Sequence, residues 1–264
     1  MTRRAILVGI AGGLSSGLLG IGGGTVMVPL LTHFLHLEQR RAQGTSLAIL
    51  IFTALAAALT YRAAGPVDLV RAGWLALGAV AAAALGAQAT ARFSNAALQR
   101  AFGAFMILVG LRLFLTGIPE GAWLDRPGPV GIAWDLATGF VVGWLSGFLG
   151  VGGGVVLVPI LTLLFGLPQI EAQGVSLFMI IPTSIVGAWS HWRLGNVERR
   201  IVLPTALASI GAAVAGAAIA NRLPGTMLRV LFAIALVLVG VRYLARPSQR
   251  ARNEKGPAER RSPS

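Results

Sequence analysis

Cysteine is missing from all 264 positions, which rules out disulfides, thiolate nucleophiles and cysteine-held metals. Histidine is nearly missing too: His33, His36 and His191 are too few and too scattered to suggest a metal site. Charge is scarce, with 12% of residues ionisable where a soluble domain carries about a quarter. Acidic residues number 9 against 22 basic ones, giving a net charge of +13. Nucleic-acid binding would need that charge gathered on one face of a soluble module. Most arginines instead sit at the ends of apolar runs, as the positive-inside bias of a membrane protein places them, so no nucleic-acid partner is expected. No Gly-Lys-Ser/Thr follows any glycine cluster, so there is no phosphate-binding loop and no sign of ATP use or another cofactor.

What the chain does have is hydrophobicity, 55% by residue with a mean hydropathy of +0.76. Thr45 to Tyr61, Ala72 to Ala91, Ile201 to Asn221 and Val230 to Val241 carry no charge, and many runs approach the roughly 20 residues needed to cross a bilayer. These runs are continuously apolar rather than alternating, which disfavours a transmembrane β-barrel. An all-α polytopic integral membrane protein is expected, with the lipid bilayer as its main partner. Met1-Thr-Arg-Arg and the apolar stretch behind it resemble the start of a signal peptide. Cleavage would fall within the first glycine cluster, so an uncleaved first membrane segment is expected.

Two stretches repeat 130 residues apart. Ser16 to Thr32 reads SGLLGIGGGTVMVPLLT and Ser146 to Thr162 reads SGFLGVGGGVVLVPILT, identical at twelve of 17 positions. The offset persists: Gln43-Gly44 matches Gln173-Gly174, Ser46 matches Ser176, Gly86 matches Gly216 and Gly110 matches Gly240. The chain therefore divides into a membrane repeat at 1–115, a Gly/Pro-rich linker at 116–131 and a second repeat at 132–245. A basic, polar tail at 246–264 has nothing to bury and is expected to be disordered. Each half shows an apolar piece meeting the glycine cluster, a short second piece (Val26 to Leu35; Val156 to Phe165), then three spans near 44–61, 72–91 and 97–115, matched by 174–190, 201–221 and 227–244. Small-residue faces such as Ala79 to Ala91 and Ala212 to Ala220 suit close helix packing in lipid. The Arg-Phe-Ser-Asn sequence at 92–95 and Pro224-Gly225 mark turns.

Topology stays open at this level. If the pieces flanking each cluster form one broken crossing, the halves are parallel; if they form a re-entrant hairpin, the halves are inverted. Termini left aside, the parallel scheme places Arg62, Arg71, Arg112, Arg126, Arg193, Arg199 and Arg200 inside. The inverted scheme places Arg40, Arg41, Arg92, Arg100, Arg193, Arg199 and Arg200 there, so charge does not decide. The short second pieces, about ten apolar residues each, favour hairpins. Arg3, Arg4 and the basic tail argue for cytoplasmic termini.

Glycine breaks at matching places in two apolar halves point to a transporter's binding site. Gly22, Gly23 and Gly24 with Gly152, Gly153 and Gly154 cannot lie in lipid as irregular backbone unless buried in protein or beside a cavity. The helices starting at Thr25 and Val155 would aim free N–H groups at the breaks, which favours an anion. The alternative is that these glycines only allow tight packing. Gln43-Gly44-Thr45-Ser46 and Gln173-Gly174-Val175-Ser176 open long spans and place neutral donors at helix N-termini. Ordinary capping explains the serines but not why Ala-Gln-Gly-x-Ser-Leu recurs intact. Neutral donors can desolvate an oxyanion without holding it too tightly to release. Pro29 and Pro159 are expected to kink or end the short pieces. Asp135, His191 and Arg193 are ionisable residues near span ends, where an interfacial role is cheaper than proton coupling.

The paired SG[LF]LG[IV]GGG…VP[LI]LT followed by AQG[TV]SL resembles the sulfite exporter TauE/SafE family, over nearly the whole chain apart from linker and tail. That resemblance implies an inner-membrane permease of about eight spans for a small anion such as sulfite, a sulfonate or another sulfur oxyanion. It does not imply an enzyme, a catalytic residue or a metal. A channel or scaffold is the rival reading, and self-association into a homo-oligomer stays open. An intramembrane hydrolase built on Ser16 or Ser146 with His191 is disfavoured, since the serine is duplicated and the histidine is not.

Overall fold

The computed structural model describes residues 2–89, 95–115, 124, 127–149 and 152–245. Most of the linker, the whole tail and the turn at 92–94 lie outside the described residues, as do Gly150 and Val151. Within them the chain forms ten helices and no strand. In the first half these are α1 (Thr2–Leu19), α2 (Gly24–Phe34), α3 (Gln39–Ala64), α4 (Leu69–Ala89) and α5 (Asn95–Leu115). Their counterparts are α6 (Pro129–Leu149), α7 (Gly154–Leu163), α8 (Gln169–Arg193), α9 (Arg199–Ala220) and α10 (Gly225–Leu244). Among the described residues α3, α6, α8, α9 and α10 are long and apolar enough to cross a membrane.

Contacts between glycines and their neighbours fix the direction of every helix. Met27 packs on Gly12, and Arg4 donates to the Phe34 carbonyl at 3.3 Å, so α2 folds back along α1 and ends near its start. The pair is a hairpin that enters and leaves by one face. Gly9, Gly13 and Gly17 of α1 meet Thr205, Ser209 and Ala213 of α9 in the same order, so these two helices run parallel. The α3 helix also follows α9: Thr45 lies against Glu198 near their starts, and Thr53 against Ser209 halfway along, at 2.6 Å. By contrast α3 opposes α8, with Gly44 at His191, Leu47 at Gly187 and Tyr61 at Gln173. The second half repeats the pattern upside down. Gly139 and Gly143 of α6 meet Leu75 and Ala79 of α4, and Leu124, close to the start of α6, donates to the Leu164 carbonyl at the end of α7 at 3.0 Å. Antiparallel α5 and α10 meet at Gly103 with Gly240 and Gly110 with Ala233.

Each half is thus a helical hairpin followed by three long helices, and the halves are inverted. Thr2 and Leu244 lie at the same face, here the terminal face; Leu124 and the start of α6 lie at the opposite, linker face. The halves also exchange helices, because the glycine stripe of each hairpin packs on the fourth helix of the other half. One bundle holds α1, α2, α3 and α9, around Val8, Met27, Leu31, Ile49 and Ala206. Its inverted twin holds α6, α7, α8 and α4, and the two meet along α3 and α8.

Two local expectations change. Pro29 and Pro159 neither end nor split their helices, since α2 and α7 run on to Phe34 and Leu163. Each sits in the second turn, where a proline removes one ladder bond, that to the carbonyl of Thr25 or Val155. The Gln-Gly-x-Ser segments do not open their spans either. The α3 helix starts at Gln39 with the Glu38 carbonyl accepting from Ala42, and α8 at Gln169 with the Pro168 carbonyl accepting from Ala172. Gln43 and Gln173 therefore lie one turn inside, and their donors are side chains on a helix face.

Candidate functional site

At each glycine cluster the chain must leave one helix and start another that runs back beside it. Gly20, Gly22 and Gly23 do this with φ of +66°, +75° and +65°, values that residues with a Cβ rarely adopt. The second cluster differs. Gly152 has φ +82°, but Gly153 is already helical at −69°.

The two breaks come together. A Cβ on Gly154 would stand 2.8 Å from the Ile21 Cα, so the second break abuts the backbone of the first. Ile180 Cδ1 lies 2.9 Å from the Cβ positions of both Gly22 and Gly154, and the δ carbons of Leu50 lie 3.5 Å and 3.7 Å from those of Gly22 and Gly152. Leu50 and Ile180 sit near the middles of α3 and α8, which sets the meeting point halfway between the faces. From there α2 runs to the terminal face and α7 to the linker face. Both helices begin at this point, and neither has a side-chain N-cap. Two positive helix ends therefore approach one location from opposite sides. The groups around it are apolar or neutral.

Several buried polar atoms near the first break have no hydrogen-bond partner. They are Ser16 Oγ beside Gly23, Thr25 Oγ1 in the first turn of α2, Ser176 Oγ and Gln173 Nε2. Gln173 packs on Gly20 and Ile180 on Gly22, so Ser176 lies between them along α8 and looks onto the segment joining α1 to α2. Buried donors left open cost free energy unless something accepts from them. A small anion would.

Other candidates lie elsewhere. Thr45 Oγ1 accepts from the Glu198 N–H at 2.9 Å, joining α3 to the start of α9. Gly44 makes room for His191 and the Asn196 carbonyl, and Gly174 for Val67. Ser46 is buried on α3, and Gln43 is half-buried without a hydrogen bond among the described residues. Asp135 pairs with Arg71 at 3.4 Å near the linker face, where Arg71 also lies 5.2 Å over the Phe165 ring. Neither Asp135 nor Arg193 reaches the breaks. Among the described residues no group of acidic or histidine side chains could hold a metal.

Sequence reasoning passed over Ser16 as a binding group, and Tyr61 altogether. The Tyr61 hydroxyl donates to the Gly17 carbonyl at 2.8 Å and lies 2.7 Å from Gln173 Oε1. Its signal was a lone phenol at the end of a charge-free run, and its repeat counterpart, His191, is also polar.

Comparison with known proteins agrees with this architecture. The model of the family described as "Sulfite exporter TauE/SafE" matches residues 5–174 and again 135–264, with starts that reproduce the repeat offset. A "Probable membrane transporter protein YunE" of Bacillus subtilis is 30% identical over 261 residues, covering 90% of this chain and 96% of that one. A "Probable membrane transporter protein" of Haemophilus influenzae is 26% identical, covering 89% and 95%. An archaeal relative, "Probable membrane transporter protein MJ0441" of Methanocaldococcus jannaschii, is 25% identical over 89% and 92%. No solved structure matches significantly. With the family model matching both inverted halves and relatives aligned along nearly their whole length, the chain belongs to the sulfite exporter TauE/SafE family of membrane transporters.

Proposed function

We propose that this transporter is a secondary permease for a small sulfur-containing oxyanion, such as sulfite or a short sulfonate, bound where the two glycine breaks meet. The observation that carries this reading is the approach of two uncapped helix N-termini to one point at mid-depth. Each end carries about half a positive charge, although the Gly24, Val26 and Val156 N–H groups already donate to the Gly22, Gly23 and Gly153 carbonyls. Together they balance an anion without a lysine or arginine that would hold it fast. Ser16, Thr25 and Ser176 supply neutral donors to the oxygens. A halide would use the charge but leave several donors open; an oxyanion uses both.

Orientation follows from charge. At the terminal face lie Arg3, Arg4, Arg40, Arg41, Arg100, Arg193, Arg199, Arg200 and Arg242, with Glu38 and Glu198. The linker face has Arg62, Arg71, Arg112, Arg222 and Arg229, offset by Asp68, Asp135 and Glu171. The positive-inside rule then makes the terminal face cytoplasmic, with both termini inside the cell and the chain in the inner membrane. Alternating access comes from rocking the bundle of α1, α2, α3 and α9 against that of α4, α6, α7 and α8, so each moving body draws on both halves.

Purified protein in liposomes loaded with labelled sulfite, thiosulfate or a short sulfonate tests the reading. Protein-dependent flux of at least one, competed by the others, is the expected result. No flux of any of them from a protein that remains folded rejects the substrate class.

A further inference from the structure

The repeat makes Tyr61 and His191 counterparts, together with Gln173 and Gln43, Gly174 and Gly44, Gly17 and Gly147. The structure treats the two sets differently. Near the linker face Tyr61 is 2% exposed and bonded to the Gly17 carbonyl, while Gln173 is fully buried against Gly20. One phenolic proton faces two acceptors here. Turning the Gln173 amide over would let its unpartnered Nε2 donate to the Tyr61 oxygen and complete the latch. This ties the tip of the first hairpin to both α3 and α8.

Near the terminal face the ring is in the equivalent place, since His191 Cβ crowds Gly44 just as Tyr61 Cβ lies against Gly174. The latch is not made. His191 Nδ1 is buried without a partner, and Gln43 is half-buried with no hydrogen bond among the described residues. Ser146 and Gly152 are partly open where Ser16 and Gly22 are buried.

We propose that Tyr61 and His191 are the two gates of the substrate path, the structure holding the linker-face gate shut and the terminal-face gate unlatched. The inference rests on the transporter reading and assigns its closing elements. An imidazole can form the same latch, one ring N–H to the Gly147 carbonyl and the other nitrogen accepting from Gln43. Its reach is shorter than a phenol's, so that gate closes only when His191 and the Gly147 carbonyl come closer together. Both residues act as positioning groups and need not touch the anion.

The absence of cysteine gives a clean test, with Ser46→Cys and Ser176→Cys as counterpart reporters on either side of the breaks. Each is exposed to a membrane-impermeant maleimide from its own face in proteoliposomes, after elution as a single species shows intact folding. Both positions are buried, at 2% and 0%, so each labels only as its gate opens, and the unlatched terminal-face gate is expected to make Ser46→Cys react faster than Ser176→Cys. Adding Tyr61→Phe, which keeps the ring and removes the hydroxyl, raises Ser176→Cys labelling about fivefold, the factor that one buried hydrogen bond carries. Adding His191→Tyr, which copies the shut gate onto the other face, slows Ser46→Cys labelling by about the same factor. Failure of either reporter to move in the stated direction overturns the proposal. Labelling needs no transported anion, so a chain that shows both shifts but moves no sulfur anion loses the substrate and keeps the gates.

Discussion

A hydroxyl among lipid-facing helices finds its acceptor in its own helix, in a neighbour, or in a ligand; the described residues show the first two cases and some hydroxyls with neither. Thr53 Oγ1 donates to the Ile49 carbonyl at 3.0 Å and shares a 2.6 Å hydrogen bond with Ser209 across α3 and α9. Thr45 serves α9, and Ser176 has no protein partner. Thr53→Val and Ser209→Ala, alone and combined, should give a coupling energy of about 0.6 kcal/mol, the average for such pairs in a membrane protein, measured by unfolding in micelles. Ser176→Ala should behave in the opposite way. It deletes an unsatisfied buried donor, so the melting temperature holds or rises, while KM for the transported anion increases. A drop in stability with an unchanged KM would mean that Ser176 is structural. At this scale the sequence showed which residue types recur but not where they point. Thr45 and Ser176 stand one place apart in equivalent segments, and the roughly 100° that one residue turns about a helix sends one to a neighbouring helix and the other towards the breaks.

Elements pair through glycine and alanine. A Cβ on Gly13 would stand 2.8 Å from the Ser209 Cα, backbone that can yield only if α1 and α9 separate, whereas nothing lies within 4 Å of Gly211. Gly13→Ala should therefore destabilise the protein by about 1–3 kcal/mol through overpacking. Gly211→Ala should be neutral or stabilise by up to about 1 kcal/mol, from helix propensity alone. Thermal melting of the two variants side by side checks this, and equal melting would contradict the packing account. The alanine-rich faces of α4 and α9 were legible in the sequence as contact surfaces. Their partners were not, because exchange of hairpins between halves is decided by which surfaces meet once both halves are folded. The lengths of α2 and α7 did foretell hairpins, since ten or eleven residues cannot cross a bilayer. Of the two outcomes expected of the prolines, a kink or an end, the end is not seen: a second-turn proline costs too little backbone bonding to stop a helix held by its neighbours.

For the molecule as a whole, the tie between two arginine distributions is broken by packing, not by charge. Antiparallel α3 and α8 and parallel α1 and α9 are compatible only with inverted halves. Gly65→Cys in the turn after α3 and Leu194→Cys in the turn after α8 should therefore react with an impermeant thiol reagent from opposite faces. Reaction from the same face would indicate parallel halves and contradict the topology. Inversion also explains why one short glycine sequence serves twice. Copied upside down, it brings a second helix start to the same depth from the other side, and two partial positive charges then meet without any cationic side chain. That is the central claim, and sulfur-anion flux into liposomes by Gly23→Val and by Gly153→Val tests it most directly. If both breaks form one site, either replacement alone should abolish the flux that the unaltered chain supports. Unchanged flux in both variants would reduce the glycines to packing and contradict the account.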